Sequence, residues 1–159
     1  MKHLYLLFVS SLLMSDITIQ GHVDMQAQVY VTHPQEKHAD NFTASTQLQF
    51  AYEQDDFEAI TKIYAQQDYY DLKESSQHND RSFIRVDELY GKYNFENSQI
   101  TLGKSIRFWG ALEVNNIVDG FNPNDLRTDL FNADKLGVWN TSYTYYTETG
   151  ELALIVKVN

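Results

Sequence analysis

Apolar and polar side chains alternate over unusually long stretches of this chain. Across residues 17–31 the odd positions are mainly apolar and the even positions are mainly polar. A period of two sustained over about fifteen residues predicts a strand with one apolar face and one polar face. Globular strands usually span about five or six residues, whereas a tilted transmembrane strand needs about nine to eleven. The length of the alternation therefore favours a transmembrane strand.

The same alternation recurs along the chain and predicts seven strands, at 17–31, 42–53, 57–69, 82–96, 100–109, 137–147 and 151–158. Tight turns fit at 53–56, 96–99 and 147–150, and the other connections, 32–41, 71–80 and 110–136, are long and polar. Short turns that alternate strictly with long loops are the layout of a transmembrane β-barrel. We therefore predict an all-β fold, an antiparallel up-and-down transmembrane β-barrel.

The fourth and fifth strands suggest a specific register. A two-residue turn at Asn97 and Ser98 would pair apolar with apolar and polar with polar side chains across the hairpin. It would also place Glu88 opposite Arg107 on the polar face. Lys104 is the exception, because it falls on the apolar face and at a membrane surface would have to reach toward an interface.

The orientation of the two faces cannot be read from alternation alone, since a soluble barrel such as a lipocalin puts its apolar side chains inside. Aromatic residues near the strand ends favour the apolar-outward arrangement, in which they form interfacial girdles. These residues are Phe50, Tyr52, Phe57, Tyr93, Phe95, Tyr143 and Tyr145. A soluble ligand-binding β-barrel stays the alternative.

The N-terminus has a different character. Lys2 and His3 precede an apolar run at 4–14, which is too short to span a bilayer as a helix but suits a secretory signal. We predict a signal peptide at 1–15, with a buried first strand or helix as the alternative. Residues 16–159 are then expected to be the N-terminal portion of a larger barrel, because bacterial single-chain barrels use even strand counts from eight upward. Self-association to complete a barrel is the other possibility.

Composition narrows the chemistry. The chain has no cysteine, which excludes disulfides, thiol catalysis and cysteine-ligated metals. The net charge of −10 makes nucleic acid an unexpected partner, since phosphate binding needs a clustered basic surface. Oxygen ligands at Asp119, Asn122, Asn124 and Asp125 suit Ca²⁺, but their spacing matches no established calcium loop. His33 and His38 are expected to be solvated loop residues, so we predict no metal, no cofactor and no catalytic set.

Two segments in the second half resemble a known group of proteins. The strand 100–110 carries Gly103-Lys104 and ends in Trp109-Gly110, and the loop 119–125 contains Asn122-Pro123-Asn124-Asp125. This combination resembles poorly characterised porin-like outer-membrane barrels of Gram-negative bacteria. The resemblance is best over about residues 82 to 145. It implies a barrel larger than this chain alone can form, in the outer membrane, that passes or binds solutes.

These observations together predict a porin-like channel of the Gram-negative outer membrane for passive or weakly selective passage of small solutes. Its partners would be outer-membrane lipid, small solutes and a further copy of itself. An outer-membrane barrel enzyme of the lipase or protease type is an alternative to this channel. The residues predicted to line the pore are Glu88, Lys92, Arg107, Asp119 and Asp125. The acidic loop at 110–136 would either fold into the lumen, narrow it and favour cations, or stay solvated outside.

Overall fold

The computed structural model describes residues 10–14, 16–29, 40–73, 81–107, 121–127 and 133–158. The strands are β1 (Ser10–Met14), β2 (Ile17–Val29), β3 (Asp40–Gln54), β4 (Phe57–Asp68), β5 (Phe83–Asn94), β6 (Ser98–Ser105), β7 (Asn124–Asp125), β8 (Asp134–Lys135), β9 (Val138–Thr147) and β10 (Gly150–Lys157). One short helix, α1 (Tyr69–Lys73), follows β4. Within the described part of the chain, no helix has the length and apolarity needed to span a membrane.

Eight of the strands form one antiparallel sheet in the order β1-β2-β3-β4-β5-β6-β9-β10, and β7 pairs with β8 in a small separate ribbon. The all-β, antiparallel, up-and-down part of the prediction is therefore confirmed. The sheet is open, with β1 and β10 as its edges in the described residues, and it is not a closed barrel. The larger transmembrane barrel of which these strands were expected to form a part stays a prediction. Strand β1 lies inside the segment predicted as a signal peptide and pairs with Ile17–Gly21. That peptide stays a prediction.

The tight turns lie at one end of the sheet, as the pattern predicts. Gln54 pairs with Phe57 across Asp55 and Asp56, and Thr147 pairs with Gly150. Asp55 has a φ of 50°, a left-handed conformation that aspartate tolerates in turns. The connections at the other end are 30–39, 69–82 and 106–137, so short and long connections alternate.

The predicted register of the β5–β6 hairpin is wrong by two residues. Tyr93 pairs with Ile100, and the amide of Phe95 donates to the Ser98 carbonyl at 2.7 Å, so the turn is centred one residue earlier, at 96–97. Glu88 therefore does not lie opposite Arg107. Since a shift of two residues preserves the period of the pleat, the side chains of 89–94 and 99–104 keep their predicted faces.

A bulge interrupts the ladder between β4 and β5. Lys62 pairs with Glu88 but Ile63 pairs with Val86, which leaves Asp87 as the extra residue. The Asp87 carbonyl accepts a hydrogen bond from the amide of Gly137 at 3.1 Å. A Cβ on Gly137 would lie 2.5 Å from that same oxygen, so only glycine permits the close approach. The bulge thus ties β5 to the residues that lead into β9.

The two faces of the sheet differ sharply in exposure. No apolar side chain among the described residues is buried, whereas ten polar or charged residues are. On β6, Thr101 is 3% exposed and its neighbour Leu102 is 62% exposed. A soluble protein buries its apolar side chains and exposes its polar ones. This sheet has the reverse arrangement.

The apolar face carries aromatic side chains close to the tight turns, as predicted. These are Tyr52, Phe57, Tyr93, Phe95, Tyr143 and Tyr145, which we call the aromatic band. The rings of Tyr93 and Phe95 meet edge to face with centroids 4.8 Å apart. Trp139 lies six positions before Tyr145 on the same face of β9, which corresponds to about 20 Å along an extended strand. Thr141 and Tyr143 lie between them on β9, flanked across the neighbouring strands by aliphatic residues: Ile100, Leu102, Leu154 and Val156.

Candidate functional site

The polar face of the sheet holds most of the charged and hydrogen-bonding side chains of the strands. Three of the predicted pore residues, Glu88, Lys92 and Arg107, come from β5 and the residues just after β6. Cross-strand pairing puts Lys62 opposite Glu88 and Glu58 opposite Lys92. Directly opposed residues of an antiparallel pair share a face, so these four strand residues lie together.

Three of these four charges have a defined partner. The Lys92 ammonium forms an ion pair with Glu58, and both side chains are largely shielded from solvent. The Glu88 carboxylate accepts a hydrogen bond from the backbone amide of Ile106 at 3.0 Å. That bond takes the place of the predicted contact between Glu88 and Arg107.

Arg107 is held by neutral groups. Its Nε donates to Asn140 Oδ1 at 3.3 Å and its Nη2 donates to Ser142 Oγ at 2.5 Å, both on β9. Asn140 and Ser142 are each 2% exposed. The Asn140 amide also donates to Ser105 Oγ at 2.9 Å, so a buried polar network joins β6 to β9. Within the described ranges, Arg107 makes no ion pair.

The densest charged cluster surrounds Arg85, a residue that the sequence analysis did not select. Its guanidinium donates to Asp87 Oδ1, Asp125 Oδ2 and Asp134 Oδ2, each at 2.6 Å. The side chains of Arg85, Asp87 and Asp125 are 8%, 4% and 5% exposed. We call Arg85, Asp87, Asp125, Arg127 and Asp134 the Arg85 cluster.

Asp125, predicted to line the pore, is a buried member of this cluster. Arg127 donates to both of its carboxylate oxygens, and the Arg127 amide adds a bond to Oδ1 at 3.0 Å. The Arg127 guanidinium, with that of Arg85, holds the pKa of the Asp125 carboxyl well below its ordinary value. Its charge is therefore compensated by two arginines.

Two aromatic rings of the polar face pack against the arginines of the cluster. The Arg85 guanidinium lies 4.3 Å from the ring centroid of Tyr64, and the Arg127 guanidinium lies 4.0 Å from that of Phe83. Tyr64 and Arg85 are cross-strand partners on β4 and β5. Stacking of this kind holds a guanidinium in one orientation and adds an electrostatic attraction between the cation and the ring.

Part of the long third connection lies across the polar face. We call residues 121–127 the crossing segment. The Phe121 carbonyl accepts from Lys157 Nζ on β10 at 3.2 Å. The Asn122 side chain both accepts from the Arg107 amide at 3.1 Å and donates to the Arg107 carbonyl. Asp125 then reaches Arg85 on β5. The crossing segment thus spans the sheet from β10 to β5, and the alternative of an entirely solvated outer loop does not hold for these residues.

The other candidate residues have different outcomes. Asp119, His33 and His38 lie outside the described residues. Asn122 and Asp125, considered as calcium ligands, use their side-chain oxygens on Arg107 and on the two arginines. Among residues with a described position, no group of three or more His, Asp or Glu side chains is arranged to hold a metal ion.

No sequence pattern indicated Arg85, because its partners come from three separate parts of the chain. Strict alternation from Leu89, Gly91 and Tyr93 would place Arg85 and Asp87 on the apolar face, and the bulge at Asp87 brings Arg85 to the polar face instead, opposite Tyr64. Nothing in the spacing of residues indicated that Asp125 and Asp134 would meet it, since they lie 40 and 49 positions away.

Comparison of the chain with protein-family models, curated proteins and solved structures found no match.

Proposed function

We propose that this sheet is part of the wall of a porin-like β-barrel in the outer membrane of a Gram-negative bacterium, and that the barrel passes small polar solutes. The apolar face contacts lipid, and the polar face lines a water-filled lumen. The crossing segment lies on the lumen side and narrows the passage.

The inverted exposure of the two faces carries this proposal. Long apolar side chains such as Leu102, Leu152 and Leu154 are 62%, 71% and 69% exposed, while the described residues bury polar groups only. At about 25 cal/mol per Å² of apolar surface, so much exposure in water would oppose folding. A lipid environment removes that cost. A soluble ligand-binding barrel would place these side chains inside, which is the opposite arrangement.

The strand lengths and the aromatic band support the same environment. Five of the strands, β2 to β5 and β9, contain 13, 15, 12, 12 and 10 residues, and a tilted strand needs about nine to eleven to cross the hydrocarbon core. The band lies at one end of the apolar face, where an interfacial girdle would lie. The tight turns beside it fit the periplasmic side, and the long connections fit the outer side.

The charges of the polar face favour weak selectivity. The Arg85 cluster combines two arginines with three aspartates, and Glu58 and Lys92 neutralise each other. Arg107 and Lys62 add positive charge beside Glu88. With both signs interspersed along the wall, no single-sign ring dominates the passage of ions.

The test is conductance of the full-length protein in planar lipid bilayers. A channel gives discrete current steps, with a reversal potential near zero in a KCl gradient because selectivity is weak. An intact barrel that inserts into the bilayer but carries no current would refute the channel. A protein that stays monomeric and soluble without detergent would refute the membrane environment itself.

A further inference from the structure

The polar face is chemically divided between its two halves. Strands β4 and β5 carry the charges, and β2 and β3 carry mostly neutral amides. Two cross-strand rows show the division: Gln20, Gln49, Lys62 and Glu88 form one, and His22, Gln47, Tyr64 and Arg85 form the other. Solutes moving along this wall therefore meet a neutral hydrogen-bonding surface on one side and ion pairs on the other.

A shallow groove of about 170 Å³ lies in the neutral half, lined by Gln20, Gly21, His22, Gln47 and Gln49. Its volume is below the roughly 300 Å³ at which pockets for drug-sized ligands begin, so it suits a small solute. The paired side chains stand about 5 Å apart across the strands and about 7 Å apart along them. Four hydrogen-bonding groups are thus spaced on the scale of one sugar ring.

The three glutamines of the groove have unused hydrogen-bonding capacity. Gln20, Gln47 and Gln49 make no side-chain hydrogen bond within the described part of the protein. Other glutamines of the polar face are engaged: Gln66 donates to the Arg81 carbonyl at 2.9 Å, and Gln99 donates to Asn94 Oδ1 at 2.7 Å. Each free amide offers two donors and an acceptor that accommodates two bonds. His22 is oriented by Asp24, with 3.3 Å between Nε2 and Oδ2.

We infer that this groove, which we call the glutamine groove, is a binding site for a neutral polyhydroxylated solute of monosaccharide size. A hydroxyl group both donates and accepts hydrogen bonds, and so does a primary amide. A neutral amide carries no charge that could compensate an anionic or a cationic solute. Binding at this wall deepens the proposed channel function by naming its solute class, and it rests on that function for its role in transport. In the charged half, Glu58 pairs with Lys92 and the Arg85 cluster is compensated internally, so Lys62, opposite Gln49, is the charge that competes with the amides for a solute.

Glucose, glucuronate and glucosamine are matched probes, because all three are pyranoses of similar size that differ chiefly in charge. Binding is measured by saturation-transfer NMR on the full-length protein in detergent, and passage by current fluctuations in planar bilayers with each probe added. We expect glucose to bind best and to interrupt the current most. A triple variant, Gln20→Ala, Gln47→Ala and Gln49→Ala, should bind glucose about tenfold or more weakly, since it removes several hydrogen bonds at once.

Gln99→Ala is the control, because it removes an amide of the same face whose bond is internal. Its glucose binding should equal that of the unchanged protein. Equal glucose binding in the triple variant would overturn the glutamine groove. Tighter binding of glucuronate would indicate that Lys62, opposite Gln49, forms the site and would overturn the neutral class. Conductance without any effect of glucose would also overturn the groove but leave the channel standing. Glucose binding without conductance would support the groove and refute the channel.

Discussion

Replacement of Arg85 by methionine tests what holds the crossing segment against the sheet. The variant keeps an unbranched side chain of similar length on β5 but removes all three ion pairs. Asp87 and Asp125 would then stay buried, Asp87 without its cation and Asp125 with Arg127 alone. Detachment of the crossing segment from the sheet returns both carboxylates to water. The segment should therefore detach more readily in the variant than in the unchanged protein.

The magnitude follows from the burial of the partners. Removing one member of a buried ion pair costs about 3–5 kcal/mol, whereas an exposed pair contributes about 0–1 kcal/mol. Asp134 is 46% exposed and contributes little, and Asp125 keeps its bonds to Arg127. We therefore take the lower end, about 3 kcal/mol. Because 1.4 kcal/mol corresponds to a factor of ten, the detached population should rise about 100-fold.

Limited trypsin digestion after Arg127 measures this population, because cleavage follows the open state when opening and closing are fast. Lys92→Met is a matched control, since it removes one positive charge from the same face of the same strand. Its partner is Glu58 on β4, whereas the crossing segment is bonded to Arg85, Arg107 and Lys157. We expect cleavage at Arg127 to rise about 100-fold in Arg85→Met and to stay unchanged in Lys92→Met.

Equal cleavage at Arg127 in Arg85→Met and in the unchanged protein, with the same strand content by circular dichroism, would show that Arg85 does not hold the crossing segment. The segment would then be held by its other contacts, through Asn122 and Lys157. Faster cleavage in both variants would instead show that loss of charge from the wall loosens the segment in general.

Three further predictions concern the apolar face, a backbone position and pH. Leu102→Arg should lower the stability of the protein refolded into lipid vesicles by about 2–4 kcal/mol, because it would place a cation on the face that we propose contacts lipid; a change within about 0.5 kcal/mol would indicate a water-exposed position. Gly103 has a φ of +134°, and a Cβ there would lie 2.3 Å from the Leu89 carbonyl, so Gly103→Ala should cost at least about 2 kcal/mol in the same assay. The low pKa of Asp125 stabilises the folded state above its ordinary value of 3.8, and this contribution is lost as pH falls toward the folded-state pKa. The difference in melting temperature between the unchanged protein and Asp125→Asn should therefore shrink below about pH 4, and a constant difference would contradict the assigned charge.

Alternation and turn residues predicted much of the fold because both are local. Ile60 illustrates the rule, since it breaks the apolar pattern of β4 and indeed lies on the polar face, opposite Ala51 and Tyr90. Lys104 likewise lies on the apolar face, as expected, where its ammonium bonds to the Val86 carbonyl beside the bulge. Strand faces follow from a period of two, which can be read from a short stretch of sequence without knowing what that stretch packs against.

The candidate site was only partly predictable. Glu88, Lys92 and Arg107 were placed on the correct face. Glu88 and Arg107 are not each other's partner as predicted, and no pattern indicated the partner of Lys92. The β5–β6 register failed because a turn centred at 96–97 and one centred at 97–98 both keep the faces aligned. Pattern matching cannot separate them, whereas the hydrogen bond from Phe95 to Ser98 does.

Local sequence was enough to predict most of the strand faces, the positions of the tight turns and an apolar face of membrane-scale length. The exact register, the bulge at Asp87 and the contact of Asp125 and Asp134 with Arg85 follow only from the three-dimensional fold. The two groups of features differ in how far apart along the chain the interacting residues lie. Faces and turns depend on neighbouring residues, whereas the crossing segment meets the sheet through groups some 40 positions apart, whose encounter depends on the fold as a whole.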